Sequence, residues 1–140
     1  MPRNCKPEAL VEREVLLAVG RMPGLLISKN EVGNGHPVAI RAAMAAALKP
    51  FGPTVVATAL SVLRANMMRW GLGVGSPDLV FSYHGLAGGI ELKAEDGRLS
   101  EDQERWHRAA TARGFPVGVA HSPEEAIAFL DDVKKRGGGA

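Results

Sequence analysis

Residues 75–103 carry the densest structural signals in this chain, and they restrict the folds that it can form. Two alternating apolar segments, 78–83 and 89–94, flank a glycine-bearing turn at 84–88, which is typical of a β-hairpin. Ser100 and Gln103 then form a capping-box pattern, in which the serine hydroxyl accepts a backbone N–H at the start of a helix. The segment therefore predicts a hairpin followed by a capped helix.

The rest of the chain alternates helical and strand patterns around this hairpin. Helical periodicity, propensity or capping signals cover residues 7–19, 38–49, 54–68, 100–113 and 122–135. Short apolar segments predict two more strands at 25–29 and 116–120. This order of elements predicts an α/β protein with three layers. We expect a single domain over residues 1–136, with a helical insertion at about 37–70 and a flexible tail at 137–140.

Composition limits the partners of the chain without identifying them. The 17 Lys and Arg residues against 15 Asp and Glu residues give a net charge of +2, so any DNA contact requires a local basic patch with the acidic residues elsewhere. The single cysteine, Cys5, excludes an internal disulfide framework, and the four histidines have no zinc-site spacing with it. No apolar run approaches the ~20 residues that span a bilayer, and no signal-peptide pattern is present. These features predict a cytoplasmic protein without a membrane partner.

Two carboxylates and a lysine are predicted to converge at the mouth of the hairpin. Residues two apart in a strand share a face, so Glu91 and Lys93 point the same way, while Leu92 points into the core and leaves its carbonyl near the site. The hairpin brings this strand past Asp78. Such oxygen ligands suit Mg²⁺, and the lysine would orient or deprotonate the attacking water, or stabilise charge on the phosphate. The bare pattern fits an exposed strand with an ordinary salt bridge equally well.

The residues that flank this pattern make it more specific. Pro77 precedes the aspartate, Glu91 lies in an otherwise apolar strand, and Gln103 begins a capped helix. With these residues, the second half of the chain resembles the VRR-NUC family of the PD-(D/E)xK nuclease superfamily. The matching segments are Gly75-Ser76-Pro77-Asp78-Leu79, Glu91-Leu92-Lys93, Gly97-Arg98-Leu99-Ser100-Glu101-Asp102-Gln103, Gly114-Phe115-Pro116-Val117 and Ser122-Pro123-Glu124-Glu125-Ala126.

This resemblance implies a restriction-endonuclease-like α/β/α core with a mixed central sheet, and a Mg²⁺- or Mn²⁺-dependent endodeoxyribonuclease. Asp78, Glu91 and the Leu92 carbonyl would bind the metal, and Lys93 would position the water. The resemblance also implies branched DNA as substrate, such as four-way junctions or flaps, a homodimer, and the cytosol of a bacterium or a phage-infected host. Two alternatives stay open: a less selective nicking nuclease, and a non-catalytic DNA-binding or assembly subunit. The complete set of two acids and a lysine argues against the second.

The resemblance further implies a glutamate of the first helix at the metal site. Glu8 is the first candidate and Glu12 the alternative, and the two lie four residues apart on one helical face. Both would otherwise be solvated helix charges, or Glu8 would simply complement the helix dipole. Gln103 is fully explained by capping, yet the resemblance implies that it also faces the active site. These two roles are compatible.

Three basic residues are candidates for phosphate contacts. They are Arg69 and Arg98, both predicted to lie in loops beside the motif, and Lys29. The helices within residues 37–70 are apolar and carry few charges, so they must bury a face. They would extend the core, cap the DNA groove or form a dimer interface, and we favour the dimer.

Overall fold

The chain folds into two compact units in a computed structural model that describes residues 5–31, 33–35, 38–65, 68–70 and 72–138. Unit 1 comprises Met1–Glu31 and Val74–Ala140, and unit 2 comprises Val32–Gly73. The helices are α1 (Glu8–Val19), α2 (Val38–Leu48), α3 (Pro53–Ala65), α4 (Glu101–Ala112) and α5 (Pro123–Gly137), with a 3₁₀ helix at Lys49–Phe51. The strands are β1 (Leu26–Lys29), β2 (Gly33–Gly35), β3 (Met68–Trp70), β4 (Leu79–Tyr83), β5 (Leu86–Leu92) and β6 (Val117–Ala120).

Unit 1 is built on a mixed four-stranded sheet in the order β1-β4-β5-β6. The pairs β1 with β4 and β4 with β5 are antiparallel, and the pair β5 with β6 is parallel. In the hairpin, Leu79 lies opposite Ile90, and Phe81 lies opposite Gly88. This register places the odd-numbered residues of β4 and the even-numbered residues of β5 on one face of the sheet.

Helices α1 and α5 cover that face and form the main core with it. Valines at four-residue steps in α1 bury the stripe that the sequence periodicity predicts. The buried cluster consists of Val11, Val15, Val19, Leu79, Phe81, Tyr83, Ile90, Leu92, Ala120, Ala126, Leu130 and Val133. Helix α4 lies against the opposite face, where its Gln103 reaches Glu91 of β5. The protein therefore has a three-layer α/β fold of the restriction-endonuclease type, as predicted.

The predicted helix starts of the second half are confirmed by their caps. Ser100 caps α4 in a complete capping box with Gln103, and the Ser122 hydroxyl accepts from the Glu125 N–H at the start of α5. Helix α5 extends to Gly137, beyond the predicted end at residue 135. The predicted tail at 137–140 thus begins with a helical residue, and residues 139–140 lie outside the described part of the chain.

The predicted turn of the hairpin is too long. The observed turn is the two-residue pair His84-Gly85, with φ of +47° and +80°, as a type I′ turn requires. Strand β5 consequently begins at Leu86 and ends at Leu92, not at 89 and 94. Gly88 belongs to the strand, where a Cβ would overlap the Phe81 ring and the Pro116 carbonyl. Its role is close packing in the sheet and not a turn.

Unit 2 contains α2, α3 and a two-stranded antiparallel ribbon of β2 and β3. The prediction of a helix through residue 68 is wrong, because α3 ends at Ala65 and Met68 begins β3. Arg69, predicted in a loop, lies in this strand opposite Asn34. Residues 32, 36–37, 66–67 and 71 lie outside the described residues. Within the described ranges, no helix combines the length and apolar character that crossing a membrane requires.

Candidate active site

Asn30 holds the segment before β4 in place. Its side-chain Nδ2 donates to the Ser76 hydroxyl at 2.9 Å and to the Pro77 carbonyl at 2.8 Å, and its backbone N–H donates to the Asp78 carbonyl at 2.7 Å. Pro77 is fully buried and packs on Gly89 of β5, where a Cβ would overlap the proline ring. Asp78 therefore enters β4 from a segment fixed on both sides.

Glu91 is the only acidic side chain buried among the described residues, with 1% of its surface exposed. Its neighbours Ile90 and Leu92 both face the core, so alternation directs Glu91 to the opposite face of the sheet. The backbone N–H of Leu92 donates to Asp78 Oδ2 at 2.8 Å. This bond fixes the Asp78 carboxylate against the strand that carries Glu91, so the two acids converge as predicted.

Lys93 completes the group from the end of β5. Its Nζ lies 3.3 Å from Glu91 Oε1, with 13% of the lysine side chain exposed. The other carboxylate oxygen of Glu91, Oε2, is buried and accepts no hydrogen bond within the described part of the chain. A buried carboxylate oxygen without a partner is costly, so its retention points to a ligand that it would bind.

The ionisation of Glu91 reflects this environment. The pKa of Glu91 is raised from its ordinary value of 4.5 to about 7, first by burial and second by the neighbouring charge of Asp78. The charge of Lys93 and its hydrogen bond oppose the increase, and the charge of Glu8 adds to it. A carboxylate pair held together at this cost is typical of a functional site.

Gln103 links α4 to the acidic pair. Its Oε1 accepts the N–H of Ser100 at 2.9 Å, as the capping box requires, and its Nε2 donates to Glu91 Oε1 at 2.5 Å. The first bond fixes the orientation of the amide, and the second uses the nitrogen that this orientation leaves facing the sheet. The structure therefore brings the capping contact and the contact with the site together in one side chain.

Gly75 allows α4 to approach closely enough for this contact. The residue has φ of +85°, and a Cβ there would overlap the backbone carbonyl of Asp102 in the first turn of α4. Glycine is required on both counts, for the left-handed backbone and for the close approach. The segment before Asp78 and the first turn of α4 are thus packed directly on each other.

A model of the VRR-NUC domain matches residues 43–124, more than half of the chain. The chain belongs to the VRR-NUC family. Membership places it in the PD-(D/E)xK superfamily and identifies it as a nuclease domain, which confirms the resemblance. Asp78, Glu91, Lys93 and Gln103 all lie inside the matched segment, whereas Glu8 and Glu12 precede it. No curated protein and no solved structure shows a significant match.

The two α1 glutamates of this VRR-NUC domain differ in their surroundings. Glu8 is the first residue of α1, is exposed, and contributes to the electrostatic environment of Glu91. Glu12 instead forms an ion pair with Lys29 at the end of β1. The ion pair thus occupies Glu12, the alternative metal ligand, and Lys29, one of the three candidates for phosphate contacts.

The other two basic candidates lie in different settings. Arg98 is exposed in the loop between β5 and α4, as predicted. Arg69 belongs to β3 in unit 2, and its side chain lies outside the described part of the structure.

Three residues near the site were not predicted from the sequence to have a role there. Asn30 lies 46 residues from its partner Ser76, so no local pattern could reveal the contact. His121 contacts the Gly97 carbonyl at 2.9 Å and supports the loop that follows Lys93.

His107 follows Gln103 by one helical turn, a spacing that is visible in the sequence. Its Nε2 is buried without a hydrogen-bond partner among described residues, and burial lowers its pKa, with the charge of Lys93 acting in the same direction.

The donor set fits a hard divalent cation. Asp78 and Glu91 offer carboxylate oxygens, one of them the unpartnered Oε2, beside the Leu92 backbone. Such oxygen ligands suit Mg²⁺, which retains waters and binds few protein groups. Among the described residues, no three His, Cys, Asp or Glu side chains form a cluster that would hold a metal unaided. A cation held by these two carboxylates would therefore need backbone, water or substrate oxygens as additional ligands.

Proposed function

We propose that this VRR-NUC protein is a Mg²⁺- or Mn²⁺-dependent endodeoxyribonuclease that hydrolyses DNA phosphodiester bonds. One observation carries the proposal: the buried Glu91 carboxylate has an unpartnered oxygen and lies beside Asp78 and Lys93. A structural salt bridge would satisfy both carboxylate oxygens or expose them to water. This arrangement instead keeps oxygen donors ready for a cation.

Each residue has a distinct role in this proposal. Asp78, Glu91 and the Leu92 carbonyl would hold the metal ion, which when bound would acidify a water and offset negative charge on the phosphate. The Leu92 N–H orients Asp78, and Gln103 orients Glu91 by donating to Oε1. Lys93, held near the same oxygen, would position the attacking water or stabilise charge on the phosphate.

Glu8 is the proposed additional acid from α1, in preference to Glu12. Its charge contributes to the pKa of Glu91, whereas Glu12 is engaged with Lys29. Glu8→Gln should therefore weaken metal-dependent cleavage more than Glu12→Gln does. Equal effects of the two variants would contradict this choice.

Cleavage assays on defined DNA substrates test the proposal. Purified protein is incubated with linear duplex, flap and four-way junction DNA in Mg²⁺, in Mn²⁺ and in EDTA. We expect cleavage only with a divalent cation, and a loss of roughly a hundredfold or more for Lys93→Ala. Lys134→Ala is the matched control, because Lys134 is an exposed lysine in the last turn of α5. Equal rates for wild type and Lys93→Ala would refute the catalytic assignment.

The same assay addresses substrate choice. Structure-selective cleavage of branched DNA belongs to the proposal because the sequence resembles stand-alone family members with that preference. A higher rate on junctions or flaps than on linear duplex supports it. Equal rates on all three substrates would instead favour the less selective nicking nuclease.

A homodimer is the assembly that we propose. Val55 and Val62 lie seven residues apart on α3, with 41% and 58% of their surfaces exposed, so they form an apolar stripe. Light scattering coupled to size-exclusion chromatography should give twice the chain mass, and the double variant Val55→Glu/Val62→Glu should give the mass of one chain. A wild-type protein that is monomeric at micromolar concentration would refute the dimer.

A further inference from the structure

The charges of the chain are divided unevenly between its two units. Unit 2, Val32–Gly73, contains four basic residues and no Asp or Glu. Unit 1 contains the other 13 basic residues and all 15 acidic ones, so the small net charge of +2 conceals a basic unit and a weakly acidic one. The four basic residues of unit 2 are Arg41, Lys49, Arg64 and Arg69. All charged side chains of unit 2 are thus positive, whereas every acidic residue of the chain belongs to unit 1.

Two of these cations have described side chains, and both are exposed. Arg41 lies on α2, and Lys49 begins the 3₁₀ helix that follows it. Across residues 5–31, 33–35, 38–65, 68–70 and 72–138, neither forms a salt bridge. Within unit 2 no carboxylate exists to neutralise them.

Several cations of unit 1 behave differently, because they face carboxylates. The pairs in unit 1 include Lys6 with Glu14, Lys29 with Glu12, Arg105 with Asp102 and Arg136 with Asp132. Positively and negatively charged side chains usually alternate on a solvated helix surface. Unit 2 departs from this arrangement, because its 42 residues include no acidic side chain. A basic surface without neighbouring carboxylates attracts polyanions.

We propose that unit 2 is a nucleic-acid-binding element whose cations contact the backbone phosphates of duplex DNA. The proposal rests on the proposed function, which makes DNA the polyanion that this chain must hold. Lysine and arginine contacts to phosphates position a protein on DNA without reading its sequence, which suits a nuclease that selects structure. A second copy of the chain fits the surface of Arg41 and Lys49 less well, because it would bring like charges together. The proposed dimer instead uses the exposed valines Val55 and Val62 of α3.

Salt-dependent DNA binding tests the proposal without requiring cleavage. The dissociation constant for a fluorescent linear duplex is measured by anisotropy in EDTA over a series of NaCl concentrations. The test variant is Arg41→Gln/Lys49→Gln. The matched control is Lys134→Gln/Lys135→Gln, which removes the same charge from exposed positions of unit 1. Thermal melting by circular dichroism verifies that both variants fold as the wild type does.

The expected result is a change in the salt dependence of the test variant. Each lost phosphate contact lowers the slope of log K against log salt by about 0.9, so two contacts lower it by about 1.8 and weaken binding roughly tenfold or more at moderate salt. The control should keep the wild-type slope. Loss of cleavage by Lys93→Ala is a separate readout, so this binding result and the nuclease assignment can fail independently.

Four outcomes would overturn the proposal. Equal slopes for the test variant and the wild type would show that Arg41 and Lys49 do not contact phosphates. Equal losses of affinity in the test and control variants would show that binding depends on the overall charge of the chain and not on unit 2. A lower mass of the test variant than of the wild type in light scattering, with an unchanged slope, would show that Arg41 and Lys49 contact a second copy of the chain instead of DNA. Binding to vesicles of anionic phospholipid, with no binding to DNA, would identify a membrane surface.

Discussion

Replacing the buried carboxylate by its isosteric amide, Glu91→Gln, should stabilise the metal-free protein at alkaline pH. The carboxylate is 1% exposed, and its Oε2 has no hydrogen-bond partner in the described part of the chain. The amide retains an oxygen that can accept the Gln103 N–H, and it removes the buried charge. The substitution therefore isolates the cost of ionisation at this position.

The magnitude follows from the pKa of Glu91, which burial and the charge of Asp78 raise from 4.5 to about 7. Below about pH 4.5 both the folded and the unfolded chain bind this proton. Between about 4.5 and 7 the unfolded chain releases it while the folded protein retains it, so the free energy of unfolding falls as pH rises. One pH unit corresponds to about 1.4 kcal/mol, so the wild type should lose about 3 kcal/mol over this interval.

Urea denaturation in EDTA between about pH 4 and pH 9 measures this loss. The difference in unfolding free energy between the two proteins should shift by about 3 kcal/mol in favour of Glu91→Gln as pH rises, and then level off above about pH 8. Groups common to both proteins cancel in the difference. A difference that does not change with pH would refute the argument that burial controls this carboxylate.

Addition of Mg²⁺ extends the test to the proposed metal site. A ligand that binds only the folded protein stabilises it by an amount that grows with ligand concentration. Above about pH 8, Mg²⁺ should therefore raise the stability of the wild type and leave Glu91→Gln nearly unchanged. Equal stabilisation of the two proteins would place the cation elsewhere.

Three substitutions test the fold around the site by denaturation. Gly89→Ala should lower the free energy of unfolding by about 1–3 kcal/mol, because its Cβ would overlap Pro77. Leu130→Ala should lower it by about 2–5 kcal/mol, because the leucine is fully buried. Smaller losses would show that the surrounding side chains rearrange to fill the space or remove the overlap. His121 has a raised pKa, because it bonds a backbone carbonyl and then Glu125. The contribution of His121 to the stability of the folded protein is therefore present below its unfolded pKa of 6.5, and it is lost as pH rises through the higher pKa of the folded protein. His121→Gln should accordingly destabilise more at low pH than at high pH, and a reversed trend would contradict the assigned bonds.

Local chemistry explains which elements could be predicted from the sequence. The N-terminal boundaries of α4 and α5 follow from serine caps, and these are contacts between residues three apart. The convergence of Asp78 and Glu91 follows from strand alternation and a short hairpin. In each case the deciding interaction lies within a few residues or within one hairpin.

The features that escaped prediction depend on contacts distant in sequence. Strand β3 has three residues and pairs with β2, which lies more than thirty residues earlier, so Met68 was assigned to the preceding helix and Arg69 to a loop. Gly88 was assigned to the turn, because the ring of Phe81 that packs against it could not be known from the sequence. The burial of Glu91 likewise requires α4 on the sheet.

Gln103 provides a test of whether its cap and its contact with the site are separable. Ser100→Ala removes the side-chain cap and should cost about 1 kcal/mol, while the bond from Gln103 to Glu91 can persist. Gln103→Ala removes that bond as well. A donor to a carboxylate favours its charged form, so losing the donor should raise the pKa of Glu91 further.

The pH at which stability levels off distinguishes the two variants. Ser100→Ala should shift the whole stability curve downward without moving this pH, because it leaves the environment of Glu91 intact. Gln103→Ala should move the levelling point to higher pH, since the folded protein would retain the Glu91 proton longer. Identical curves for the two variants would show that Gln103 acts only as a cap. A shift confined to Gln103→Ala would show that the Gln103 amide controls the ionisation of Glu91 independently of the Ser100 side-chain cap.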